Sequence, residues 1–130
     1  MSDPENTLFL LVGNAAETQW LSALQNALAP LGKLTVLSEE EVVDTTMEAS
    51  FSVIIIDAGA VYDAALLTRR LRVIKPEVRI IVVTASPTWE YARQTLQAGA
   101  ADYIRKTFNQ EELRAKIMEV MKTPPSKRLI

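Results

Sequence analysis

The sequence predicts an α/β fold, an open doubly wound sheet of five parallel strands with helices on both faces. Three observations carry the prediction. Short apolar, mostly β-branched runs recur at regular intervals, and each is followed by a segment with helical spacing. The runs are also apolar at consecutive positions, as strands covered on both sides must be. Right-handed crossovers then restrict the topology. At 130 residues the chain suits one domain, expected over 1-122, with 123-130 as a disordered tail or the start of a linker.

The first strand is expected over Thr7 to Val12, stopped by Gly13-Asn14. A helix follows between Glu17 and Leu31, where Trp20, Leu21, Leu24, Ala27, Leu28 and Leu31 keep spacings of three and four. Lys33 to Leu37 reads as a short alternating strand, and Ser38 with Glu41 as a capping box opening a short helix towards Met47. The run Val53 to Ile56 is the third strand. Asp63 caps the next helix, whose Leu67, Leu71 and Ile74 share one face before Pro76 ends it. Arg79 to Val83 is the fourth strand. Ser86-Pro87 then reads as an N-cap followed by proline at the first helical position, with Trp89, Ala92 and Leu96 facing inward as far as Ala98. Gly99 suits a helix C-cap before a weaker strand over Ala101 to Arg105. The pattern at Asn109 and Glu112 opens the last helix, with Leu113, Ile117, Val120 and Met121 as its inner stripe.

Composition narrows the chemistry. With no cysteine, disulfides, thiolate catalysis and Cys-based metal sites are excluded. With no histidine, so are the commonest general base, the usual zinc ligand and a phosphohistidine carrier. The net charge of −2, from 14 basic and 16 acidic residues, argues against direct nucleic-acid binding by this domain. No apolar run reaches the length of a bilayer span, and Met1 to Asn6 lacks the features of a signal peptide, so no membrane association and a cytoplasmic location are expected. Arg69, Arg70 and Arg72 read as a solvated helix face, and Glu39-Glu40-Glu41 as an acidic helix start that suits the dipole.

Open sheets of this kind bind ligands outside the carboxyl ends of their strands. Gly13 and Asn14, Asp57, Thr84 and Lys106 stand at those ends. Each alone has an ordinary reading, as a turn, a cap or a solvated side chain. Together, an acid, a hydroxyl and an ammonium at one rim form a small phosphoryl-transfer site, the acid as nucleophile and the other two binding phosphoryl oxygens. Gly13-Asn14 is no phosphate loop, because the glycine-rich pattern and its lysine are missing.

Over about Thr7 to Met121 the sequence resembles the receiver domains of bacterial two-component response regulators. The matching stretches are Val53-Ile54-Ile55-Ile56-Asp57, Ile80-Ile81-Val82-Val83-Thr84-Ala85 and Ala98 through Lys106, continued by Phe108 and Glu111-Glu112-Leu113. The resemblance supplies the flavodoxin-like strand order 2-1-3-4-5. It also implies that Asp57 is the phospho-acceptor, that Thr84 bonds the phosphoryl group, that Lys106 pairs with it, and that Tyr103 is the switch aromatic. It further implies Mg2+ held by Asp57, the backbone of Gly59 and, weakly, Asn14, and no other cofactor. The expected partners are a histidine kinase or phosphotransfer protein, an output domain or partner protein, and a second copy through the fourth-helix, fifth-strand, fifth-helix face. Such a domain is not an enzyme in the usual sense, though it catalyses its own phosphorylation and dephosphorylation.

The sequence departs from the family pattern where the metal belongs. Receivers place two acids after the first strand, and here Gly13 and Asn14 stand there. Three acids and one lysine leave a pocket charge of −2, matched to Mg2+, whereas Asp57 and Lys106 alone leave it neutral. Each lost charge is worth roughly 1–4 kcal/mol near 4 Å, so losing two weakens metal affinity by about 10² to 10⁵-fold. Asn14 offers an amide oxygen and Glu17 is near enough in sequence to reach in, but neither restores the charge directly. Ala58-Gly59-Ala60 replaces the usual Met-Pro-type loop. Thr107 stands where the family has a proline, so a trans peptide is expected there. Two other functions compete: a phosphorylation-independent protein-interaction module of the same fold, and a small flavodoxin-like enzyme or cofactor binder.

Overall fold

In the computed structural model, residues 7–124 are described. Strands β1 (Leu8–Val12), β2 (Lys33–Leu37), β3 (Val53–Asp57), β4 (Arg79–Thr84) and β5 (Asp102–Arg105) alternate with helices α1 (Thr18–Leu28), α2 (Glu39–Glu48), α3 (Ala64–Ile74), α4 (Trp89–Gln97) and α5 (Gln110–Lys122). A single 3₁₀ turn, Ala58–Ala60, follows β3. All strand pairs are parallel and the sheet order is β2-β1-β3-β4-β5, as expected.

The period of two along each strand sorts the core into two layers. Phe9, Leu11, Ile55, Ile81 and Val83 meet Trp20, Leu24 and Leu28 of α1 and Leu113, Ile117 and Val120 of α5. Leu10, Val12, Ile54, Ile56, Ile80 and Val82 meet Val42 of α2 and Leu67 and Leu71 of α3. The central strand β3 is buried at every position, which is why its sequence is continuously apolar up to Asp57.

Helix boundaries follow local chemistry. Ser38 and Glu41 form the reciprocal capping box, and Asp63 and Asn109 accept from the N–H groups of Leu66 and Glu112. After α4, Gly99 takes φ +111°, a conformation open to glycine, and turns the chain into β5. Peptide bonds among the described residues are all trans, Lys106–Thr107 included.

Helix α4 departs from expectation. Its N-cap is Thr88, which accepts from the Tyr91 N–H, while the Ser86 N–H donates to the Thr84 hydroxyl. Ser86 and Thr88 are both competent caps, and the bond to Thr84 keeps Ser86 in the turn. Two of the three residues predicted to face inward do not: Trp89 is 76% exposed and Leu96 is 43% exposed, while Ala92 is partly buried and Thr95 is buried. Trp89 sits in the first turn, where Arg93 stacks on its ring at 5.0 Å. Arg72 also leaves the solvated face predicted for it: half-buried, it donates to the Val78 carbonyl at 3.2 Å. The predicted tail at 123–130 and the start at 1–6 lie largely outside the described residues. Thr123 is described, and its carbonyl accepts from Arg79 Nε at 2.7 Å.

Candidate functional site

Parallel strands of similar register end together, and that brings the site's side chains to one rim. Asp57 is the last residue of β3, paired with Val83, and Thr84 closes β4 opposite Arg105, so Lys106 emerges one step further on. The Lys106 N–H donates to the Thr84 carbonyl at 2.8 Å, fixing the lysine backbone to the end of β4.

Asp57 is 1% exposed. Its Oδ1 accepts from the Gly59 N–H at 3.1 Å, and its Oδ2 faces Lys106 Nζ at 2.8 Å. That second contact lies off the hydrogen-bond direction, so charge holds it. The same ammonium lies 2.9 Å from Oε2 of Glu17, at the start of α1, and 5.4 Å from the centre of the Trp20 ring. Burial of Lys106 is the largest influence on its pKa and opposes the charge. The close contacts and charges of Asp57 and Glu17 together outweigh it, and the pKa stands above the usual 10.5.

A cavity of about 690 Å³ opens beside this pair, between the 3₁₀ turn, the start of α3 and the inner side of α4. Asp57, Thr84, Lys106 and Tyr103 all line it, so the structure brings these predicted residues together. All three tyrosines of the chain, Tyr62, Tyr91 and Tyr103, line the same cleft. The ring of Tyr103 is half-buried, and its hydroxyl accepts from the Thr88 N–H at 3.3 Å, joining β5 to the cap of α4. The Thr84 hydroxyl accepts from Ser86, which leaves its own proton available to the cleft.

The implied metal does not fit this donor set. Among the described residues no group of three or more acids could hold an ion. Asn14 does not line the cleft; its Oδ1 accepts from the Ala16 N–H at 2.9 Å, closing a turn. Gly59 is adjacent, but the contact it makes is the N–H bond to Asp57. Among the described residues, the carboxylate at the end of β3, Asp57, is already opposite an ammonium.

Sequence reasoning gave Glu17 no definite place and did not connect Trp20 with the site. The available signal was positional: Glu17 follows the β1–α1 turn, at the crevice where strand order reverses, and Trp20 lies one helical turn further on.

Comparison with known proteins agrees with this geometry. A family model described as the response regulator receiver domain matches residues 19–118. The transcriptional regulatory protein PhoP of Escherichia coli is 37% identical over 60 residues, covering 46% of this chain and 27% of PhoP. The matched stretch therefore spans about a quarter of the length of that curated relative. Among solved structures, a response regulator from Thermotoga maritima superposes with a TM-score of 0.76 at 23% identity, covering 90% of this chain and 99% of its own. An orphan response regulator of H. pylori gives 0.80 at 18% identity, with 92% and 100% covered. At such identities these structures speak to the fold.

Proposed function

The chain belongs to the response regulator receiver domain family, and on that premise we propose that it is an atypical receiver whose Asp57 accepts a phosphoryl group slowly, with little help from Mg2+. The observation that carries this reading is the buried Asp57 carboxylate opposed at 2.8 Å by Lys106, with no metal-holding acidic cluster among the described residues. Transfer requires an Asp57 oxygen to attack the phosphorus of a donor. The new O–P bond forms as the donor's bond to phosphorus breaks, and the leaving group takes that electron pair. The Lys106 ammonium and the Thr84 hydroxyl are the groups placed to bind the phosphoryl oxygens. Before that, Lys106 neutralises the nucleophile and lowers its reactivity.

Tyr103 is the proposed reporter of the event. Its hydroxyl meets the α4 cap, so a shift of Thr84 towards a phosphoryl group changes what the ring packs against. Receivers as a family interact with histidine kinases or phosphotransfer proteins. A kinase partner, an output domain of the kind the PhoP likeness suggests, and pairing of two copies through α4, β5 and α5 belong to the proposal. Residues 1-122 are the proposed folded unit. A phosphorylation-independent interaction module is the less favoured reading, because the acid, hydroxyl and amine are retained in one cleft.

Intact-mass spectrometry with acetyl phosphate, with and without Mg2+, tests the proposal. Labelling is expected to be partial after tens of minutes, nearly independent of Mg2+, and lost in Asp57→Asn. Stoichiometric, Mg2+-dependent labelling within minutes overturns it.

A further inference from the structure

We propose that the Lys106 ammonium is the resident cation of this pocket, built in where the family uses a metal, and that Glu17 is the residue that positions it. The inference rests on the receiver reading for the identity of the pocket but on separate contacts for its content. Two carboxylate oxygens from different elements, Asp57 Oδ2 of β3 and Glu17 Oε2 before α1, lie within 2.9 Å of one nitrogen. The third side of the ammonium is the face of Trp20, which is 2% exposed and wedged edge-on against Phe108, with ring centres 6.4 Å apart. Core packing thus fixes the direction from which the lysine stem can be approached, and the acids fix where its charge stops.

The two acids play different parts. One ammonium between two carboxylates leaves the group at −1, and the buried partner, Asp57, is compensated while the rim partner, Glu17, stays in water contact. A divalent ion entering the same point would have to displace a covalently tethered cation whose local concentration never falls. Glu17 makes that displacement harder by giving the amine a second anchor. The pocket thereby selects its own lysine over free metal.

Manganese-induced broadening of backbone amide signals near Ala58 and Thr18 reads the competition directly. In the wild-type chain, millimolar Mn2+ is expected to leave these signals sharp. Lys106→Met, which keeps the stem and removes the charge, is expected to bind Mn2+ at least about tenfold more tightly. The double variant with Glu17→Gln is expected to lose most of that gain. Equal Mn2+ affinity in wild type and Lys106→Met overturns the resident-cation inference, and equal affinity in the single and double variants overturns the placement of the Glu17 carboxylate at the same point. Because Lys106→Met can fail to fold, Glu17→Gln alone is the second arm. In wild type, the Lys106 ammonium protons are expected to exchange slowly enough for a nitrogen-correlated signal, and Glu17→Gln is expected to abolish it. An unchanged signal removes Glu17 from the cradle whatever the phosphate labelling shows.

Discussion

The two faces of the sheet are built to different standards. On one, α1 and α5 close over Phe9, Leu11, Ile55 and Ile81 with a continuous layer that includes Trp20. On the other, α2 and α3 do the same at one end, but α4 contributes only Thr95 as a fully buried residue and stands over an open cleft. The amine of the site is anchored on the well-packed side, through Trp20 and Glu17. The hydroxyl and the tyrosine lie against the loosely packed side, where Tyr103 meets the cap of α4. The amine is therefore held against a filled layer, and any response is left to the helix with the fewest buried side chains.

Truncating the core on each face should expose that difference most strongly. Leu24→Ala, on α1 and 1% exposed, is expected to lower the unfolding free energy by about 2–5 kcal/mol. Leu96→Ala on α4 should change it by less than about 0.5 kcal/mol. Urea denaturation of both variants decides the point, and comparable losses would mean that α4 is packed as firmly as α1.

Next in size is the ion pair that joins the two sides. Lys106→Met leaves a buried carboxylate uncompensated and is expected to cost about 3 kcal/mol at neutral pH. The same pair sets a pH dependence. The pKa of Lys106 is raised in the folded state, so the pair stabilises fully below the unfolded lysine value near 10.5 and loses that contribution as pH rises through the higher folded value. The stability gap between wild type and Lys106→Met should therefore be flat from pH 7 to about 10 and narrow above it. A gap that widens with alkali would contradict the pairing.

Smallest are the caps. Thr88→Ala and Asn109→Ala each remove one side-chain bond to a helix N–H, worth about 1 kcal/mol. Hydrogen exchange separates them: Thr88→Ala should speed exchange within α4 alone, whereas Asn109→Ala should lower protection across the sheet face that α5 covers. Identical patterns would dissolve the distinction between the faces.

Most of the fold was readable because strands buried on both sides must be continuously apolar and helices on a sheet must be striped. The inner stripes expected of α1, α3 and α5 met that rule. Helix α4 did not, because it covers a cleft rather than a filled layer: its apolar Trp89 and Leu96 point outward, and a threonine with both its hydroxyl bonds inside the helix faces in. Two cap-competent residues two positions apart, Ser86 and Thr88, made its start ambiguous as well. At the site, Asp57, Thr84 and Lys106 were readable from their positions at strand ends, whereas Tyr103, inside β5, and the lost acids at Gly13 and Asn14 came only from the resemblance to the receiver family.

The order of elements and the rim on which chemistry converges were set by the chain itself, since each follows from local periodicity or from the residue type at a strand end; the missing charges showed only against the family pattern. That Glu17 joins Asp57 at the lysine, which aromatic face lies beneath it, and which side of α4 turns inward were decided by packing. Those contacts join residues as far apart as Glu17 and Lys106, and no local pattern encodes a meeting of two side chains whose distance depends on how five strands and two helices come to rest against one another.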